Sequence, residues 1–412
     1  MPQPLIPITR KSAFIFAGFL VLYEFLTYIA NDMIMPGMLP VIRSFNAPES
    51  AIATSFTAYV LGGASLQLFL GPLSDRYGRR PVMVLGAFFF LLMTIFIALS
   101  QSMDQFLLAR FFQGMGLCFI SVVGYATLQE IFAEMDAVRL IAIMANVAIL
   151  APLLGPLLGA VFIQYLSWRI IFVIIAALAF VALWGLWRFM PESVGVIRRN
   201  GEELKAVSLS PRVIAANYKA LLLNRPFMFG SLALGSLSLP CCLWIAFAPV
   251  ILVLDAKLSI IQYGIWQVPV FGSYILGNVL LQKLTHRNNI TQLAWLGTLL
   301  SITGLVAMLL LPWLMQDDYV WLMPGLMVYF FGYGVVSAPL NRFILYSTAV
   351  GKGTGAALLS MISMAVMGFG TEAVNFMGIS HDPRSFGLCC AVIGLVYFIF
   401  LSAAFFNSRL KQ

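Results

Sequence analysis

Residues 71–80 read Gly-Pro-Leu-Ser-Asp-Arg-Tyr-Gly-Arg-Arg, a polar stretch set between two apolar runs, 52–71 and 81–100. Each run matches the ~20 apolar residues that a helix needs to cross a bilayer. The stretch therefore reads as a short turn at a membrane surface, where Gly71 and Gly78 permit close approach and unusual backbone angles. Arg76, Arg79 and Arg80 anchor it, and Asp75 can pair with a neighbouring arginine or a helix end. Simple anchoring accounts for the arginines but not for the acid and the two glycines. The spacing predicts a gate latch on this face, with Glu130, at the inner end of a later apolar run, as a further partner for the arginines.

The same alternation continues along all 412 residues. Apolar runs fall at 13–36, 52–71, 81–100, 105–131, 139–163, 168–190, 226–252, 260–284, 290–313, 319–347, 353–379 and 384–406. Hydrophobic side chains make up 61% of the chain and charged ones 10%, against the ~25% charged of ordinary soluble domains. That balance excludes a secreted disulfide scaffold, a nucleic-acid module and a disordered tail. An all-α membrane protein with twelve transmembrane helices remains. The net charge of +8 is a matter of placement, since nineteen of the twenty-four Lys and Arg residues fall on one side of the twelve runs. Four fall on the other (Arg43, Arg169, Lys257 and Arg384), and Arg110 lies inside a run. By the positive-inside rule both termini are cytoplasmic.

The first run contains Glu24 and Asp32 and is too long for a signal-peptide core, so it reads as a retained helix. The five cysteines show no metal-ligand spacing, and His286 and His381 fall in loops. No catalytic triad or nucleotide loop stands out, which argues against an enzyme. The polar segment 191–225, with Arg198, Arg199, Glu202, Glu203, Lys205 and Arg212, divides the chain. It predicts an N-terminal six-helix half over 1–190, a cytoplasmic linker over 191–225 and a C-terminal six-helix half over 226–412. A weak repeat agrees, for Lys283, His286 and Arg287 stand where Arg76, Arg79 and Arg80 stand in the first half, with Gln282 in place of Asp75.

Charges inside a bilayer cost about 2.5–3.5 kcal/mol on insertion scales, so they usually face the bundle interior and serve function. Glu24, Tyr28, Asn31 and Asp32 share one broad face of the first run. At ~1.5 Å per residue, Asp32 lies about 12 Å further out than Glu24, at a depth closer to that of Arg110 on the fourth run. Two carboxylates in different surroundings would let one carry a proton while the other meets a cation. The alternative is a buried ion pair that only fixes packing. Glu372, alone on a glycine-flanked run, is open to either reading. In the fifth run, Pro152, Gly155, Pro156 and Gly159 combine helix bending with a small-residue stripe, which predicts a seam that can rock between the halves and seal against leak.

Together these residues resemble the major facilitator superfamily, and within it the twelve-span drug:proton antiporters. The loop motif of that family is matched by Gly71, Leu73, Asp75, Arg76, Gly78, Arg79 and Arg80, and its fourth-helix motif by Arg110, Gln113, Gly114 and Gly116. The antiporter motif of the fifth helix is matched by Gly155, Pro156 and Gly159, with Ala151 and Ala160 in place of customary glycines. More narrowly, Tyr23-Glu24-Phe25, Asn31-Asp32-Met33, Pro36-Gly37-Met38, Ala58-Tyr59 and Cys118-Phe119-Ile120 look like the MdfA-type multidrug exporters of bacteria.

The resemblance implies proton coupling by Glu24, Asp32 and Arg110. It implies substrate binding by Tyr28, Asn31 and Asp32, with Phe56 and Met144 as further pocket candidates from cavity-facing geometry. It implies proton-coupled efflux of amphipathic, often cationic drugs by alternating access. The proton would be the coupling ion, with no cofactor or metal. The partners would be a small-molecule substrate and the lipid bilayer of a bacterial inner membrane, without nucleic acid, and the chain would work as a monomer. The rivals are an exporter of the same fold dedicated to one metabolite or siderophore, and an importer or symporter.

Overall fold

The computed structural model describes residues 4–132, 134–197, 211–285, 288–315, 318–378 and 382–409. Arg198, Arg199, Glu202, Glu203, Lys205, His286, Arg287, His381 and Lys411, used in the reading above, lie outside them. Among the described residues, ten helices are long and apolar enough to cross a membrane: helix 1 (Arg10–Ser44), helix 3 (Arg79–Leu99), helix 4 (Met103–Ile131), helix 6 (Trp168–Phe189), helix 7 (Arg225–Asp255), helix 8 (Ile260–Leu284), helix 9 (Ile290–Leu314), helix 10 (Tyr319–Tyr346), helix 11 (Gly353–Phe376) and helix 12 (Pro383–Ser408). A pair bent by 42°, Ser50–Ser65 and Gln67–Tyr77, forms helix 2 as an eleventh. Helix 5, Glu134–Tyr165, fills the remaining position among the twelve expected, with a shorter apolar stretch, Leu150–Tyr165.

Polar residues between the runs start the helices. Thr9, Ser102, Ser167 and Asn224 each accept a bond from a first-turn backbone N–H. Ser259 with Gln262 closes a capping box at helix 8. These caps satisfy donors that have no partner within the helix. Breaks recur at matching places: a 3-10 turn at Met35–Gly37 in helix 1 and a π-helical turn at Val250–Asp255 in helix 7.

One expectation changes. The stretch 71–80 is not a free turn, because its first part continues the helix Gln67–Tyr77 and only Gly78 leaves helical geometry, at φ 103°. Within the polar segment 191–225, Pro211–Leu222 is helical.

Across the bundle, helix 2 meets helix 11 and helix 5 meets helix 8. At the end away from Arg79 the first of these contacts is hydrogen-bonded. Thr54 Oγ1 donates to Glu372 Oε1 at 2.9 Å, and Asn375 Nδ2 donates to Ser50 O at 3.1 Å and to Thr54 Oγ1 at 3.2 Å. At the Arg79 end a cavity of about 510 Å³ separates the helices. Its walls include Asp75, Arg79 and Tyr125 on one side and Thr354, Ala357 and Ser360 on the other. The linker helix flanks it through Ile214, Asn217 and Tyr218, and the Tyr218 hydroxyl donates to Leu68 O at 3.1 Å.

Candidate functional site

Helix 1 carries Glu24, Asn31 and Asp32 into the interior, where all three are buried. Arg110 is buried completely on helix 4. Its Nη1 donates to Ala30 O at 3.2 Å and to Gln113 Oε1 at 2.8 Å, and its Nη2 donates to Asn31 Oδ1 at 2.6 Å. The guanidinium lies over the Tyr59 ring at 4.5 Å, and the Tyr59 hydroxyl bonds to Thr27 O. Gln113 passes the chain on, its Nε2 donating to Thr94 Oγ1 at 2.9 Å.

The predicted common depth of Arg110 and Asp32 holds, but the contact is indirect. Among the described residues no ion pair joins them. Asn31 stands between, donating through Nδ2 to Asp32 Oδ1 at 3.1 Å while its Oδ1 accepts from Arg110. Asparagine can do this because its amide both donates and accepts. A change of charge at Asp32 is therefore transmitted to Arg110 through one side chain as well as through space.

Glu24 is separate. Its Oε1 accepts from the Tyr125 hydroxyl at 2.6 Å, and its Oε2 is buried without a hydrogen-bond partner. Leaving a buried carboxylate oxygen unpaired costs about 1–3 kcal/mol or more. Tyr28, half-buried between the two acids, lies within electrostatic range of both and of Tyr274 on helix 8. Phe56 and Met144 are buried in the same half.

A polar and aromatic cluster in the second half was not anticipated. The rings of Tyr274 and Tyr333 lie 5.2 Å apart, and Ser238 Oγ is 3.0 Å from the Tyr333 hydroxyl. The Trp244 indole donates to Gln267 Oε1 at 2.8 Å, while Gln267 Nε2 is buried and unpaired. Tyrosines spaced along apolar helices were the available signal.

The Asp75–Arg80 stretch forms the expected network with additions. Arg79 Nη2 contacts Asp75 Oδ1 at 2.5 Å and Glu130 Oε1 at 2.7 Å, and Nη1 donates to Ser74 Oγ at 2.5 Å. Ser193 Oγ donates to Glu130 Oε2 at 2.6 Å. The Glu192 carboxylate accepts the backbone N–H of Arg79 at 2.9 Å and of Arg80 at 3.2 Å. Arg76 stays outside, exposed, with its guanidinium over Tyr77. A Cβ at Gly78 would collide with Glu192 Oε2 in a backbone region that L-residues avoid. Gly78→Ala is expected to cost at least about 1–2 kcal/mol and to lower the thermal midpoint in detergent; an unchanged midpoint would count against this geometry.

The stripe in helix 5 is where the reading needs correction. A Cβ on Gly155 would lie 2.7 Å from Asp32 Cβ, and one on Gly159 would overlap Met33 O. Both glycines thus press helix 5 against helix 1 in the same half, behind the Asp32 site, rather than against the opposite half. The contact across the halves runs through Pro156, Leu157 and Ala160, which approach Gly264. Pro152, on the same helix, is half-buried.

Comparisons with known proteins identify the family. The Major Facilitator Superfamily matches residues 20–371. The Multidrug transporter MdfA of Yersinia pestis bv. Antiqua (strain Angola) is 45% identical over 393 residues, 95% of this chain and 94% of the relative. The Multidrug transporter MdfA of Escherichia coli O6:H1 is 43% identical over 387 residues, 94% of this chain and 92% of that one. Among solved structures, a bacterial homolog of the human lysosomal transporter Spinster, in an inward-facing and unoccupied conformation, gives a TM-score of 0.72 at 16% identity, with 98% of each chain covered. The xylose transporter XylE from E. coli, in a partially occluded inward open conformation, gives 0.71 at 16% identity, covering 96% and 97%. Those two likenesses show the fold. With the match over residues 20–371 and the MdfA relatives spanning nearly all of its length, the chain belongs to the Major Facilitator Superfamily.

Proposed function

We propose that this chain exports amphipathic, often cationic small molecules from bacterial cells in exchange for protons. It is a transporter and not an enzyme, and its MdfA relatives favour multidrug efflux over a single dedicated cargo. The observation that carries the proton coupling is the pair of buried acids in unlike surroundings. Asp32 is tied through Asn31 to Arg110, whereas Glu24 is bonded to Tyr125, which lines the inner cavity, and keeps one oxygen unpaired.

Residues 1–190 and 226–412 act as the two rocking halves and 191–225 as the linker between them. The basic face is cytoplasmic, with both termini on that side, and the chain works as a monomer in the inner membrane. The described state is then open inward around the cavity near Asp75 and closed outward at Thr54 and Glu372. A cation enters against the free carboxylates, and protons arriving from outside replace it. Coupling follows because each ligand stabilises a different state, and a ligand that bound both equally would shift nothing. Tyr28, Asn31, Asp32, Phe56 and Met144 form one wall for the cargo. The Asp75–Arg79–Glu130 network, with Gly71, Arg76, Gly78 and Arg80, governs the inner closure, while Pro152, Gly155, Pro156 and Gly159 keep helix 5 tight against helix 1.

Opening outward must break the Thr54–Glu372 bond. Thr54→Val removes this donor, while Asn375 Nδ2 still donates to Glu372 Oε1 at 3.3 Å, and is expected to move the equilibrium toward the outward-open form by roughly two- to tenfold, from the ~0.5–1.5 kcal/mol of one hydrogen bond. Labelling of single cysteines placed at each end of the cavity reads the shift, and identical labelling of parent and variant would count against this gate. Loss of drug efflux from cells on Glu24→Gln, with surface expression retained, tests the function itself.

A further inference from the structure

Helices 3 and 6 enclose a second concavity, unconnected with the cargo path. It has a volume of about 790 Å³ and faces outward from the bundle. Val84, Leu85 and Phe88 of helix 3 and Phe180, Trp184 and Trp187 of helix 6 line it, with Arg80 and Glu192 at its mouth. The volume lies in the range of small-molecule pockets. Trp184 and Trp187 are exposed, yet Trp184 is braced edge-on against Phe19 at 6.3 Å and Phe189 at 6.0 Å, so the wall is preformed.

Its depth is telling. From Arg80 to Phe88 the helix rises about 12 Å, against the ~15 Å hydrocarbon depth of one leaflet. The charges at the mouth are unequal in availability. Glu192 Oε1 accepts the N–H groups of Arg79, Ser193 and Val194, and Oε2 accepts that of Arg80. Arg80 uses Nη2 on Trp187 O at 2.7 Å, while its Nε and Nη1 show no bond to the described residues. A committed carboxylate beside an available guanidinium leaves a mouth that attracts anions. Basic pockets between spans on the cytoplasmic side suit anionic lipid headgroups.

We propose that this groove binds an anionic phospholipid, with one acyl chain along Leu85, Phe88 and Trp184 and the phosphate on Arg80. A cationic cargo would be repelled by Arg80, a free phosphate ion would have no use for the apolar groove, and a zwitterionic lipid would bring a cationic headgroup that offsets the attraction of its phosphate for the guanidinium. The occupied site would adjoin the inner gate directly, because Arg80 and Arg79 share the Glu192 cap.

Native mass spectrometry of the purified full chain in detergent tests this, with phosphatidylglycerol, phosphatidylcholine and inorganic phosphate each titrated alone. The expected result is one saturable phosphatidylglycerol, bound at least tenfold more tightly than phosphatidylcholine. Arg80→Gln and the groove-filling Val84→Trp should each weaken it at least tenfold. Arg80→Lys should keep most of the affinity, and Arg169→Gln, at the other membrane face, should keep all of it. Equal binding of the two lipids, phosphatidylglycerol retained in both weakening variants, or phosphate alone bound as tightly as the lipid would each overturn the proposal. The readout is independent of efflux, so a failure of the transport reading leaves it standing.

Discussion

Arg110→Ala is expected to abolish gradient-driven transport and to lower the thermal midpoint sharply. The guanidinium is fully buried and bonds to Ala30 O, Asn31 Oδ1 and Gln113 Oε1 while lying over Tyr59. Truncation leaves two side-chain acceptors and the backbone carbonyl without this donor, and leaves Asp32 without its neighbouring cation. Each buried acceptor left unmet costs about 1–3 kcal/mol. Arg110→Lys keeps the charge but not the planar fork that reaches three acceptors at once. It should recover much of the stability and little of the transport. Thermal unfolding in detergent, read beside efflux in proteoliposomes, separates the two effects. A folded alanine variant with parental transport would show that Arg110 only fills space.

The second large effect concerns Glu24. Its glutamine variant can still accept from the Tyr125 hydroxyl, so folding should be preserved. The negative charge is lost, and with it the attraction for a cation beside the unpaired oxygen. Truncating one partner of a buried charged contact costs ~2–5 kcal/mol, so binding of a lipophilic cation should weaken roughly 30-fold or more. A neutral cargo of similar shape should bind nearly as before. Equal loss for both cargoes would mean that Glu24 acts through structure and not through charge.

Much of this site is legible in the sequence because the membrane makes polar residues conspicuous. Glu24, Tyr28, Asn31 and Asp32 repeat at helical spacing, so their shared face follows from the 3.6-residue period. Arg110 and the Asp75–Arg80 stretch stand out by charge alone. What period and charge miss is connectivity. Asn31 sits on the right face, yet its place between Arg110 and Asp32 depends on the amide's orientation. Tyr125 lies beyond a π-helical turn, Phe119–Gly124, which rotates the end of helix 4 away from the register that a regular period projects. Gly155 and Gly159 announce a close approach but not its partner, and the partner is helix 1. Tyr274 and Tyr333 were hidden for the opposite reason: aromatic residues in an apolar span give no contrast. Glu192 is separated from Arg79 by 113 residues, and nothing local links them.

Coupling of proton entry to cargo exit is proposed to rest on the two buried acids. Its most direct test is transport of a lipophilic cation in proteoliposomes under an imposed pH gradient, with the parent, Glu24→Gln, Asp32→Asn and the double variant compared at equal protein. The parent should accumulate the cation against its gradient only while the pH gradient lasts. Each single variant should lose most of that accumulation, and the double variant all of it. Undiminished gradient-driven accumulation in the double variant would contradict it.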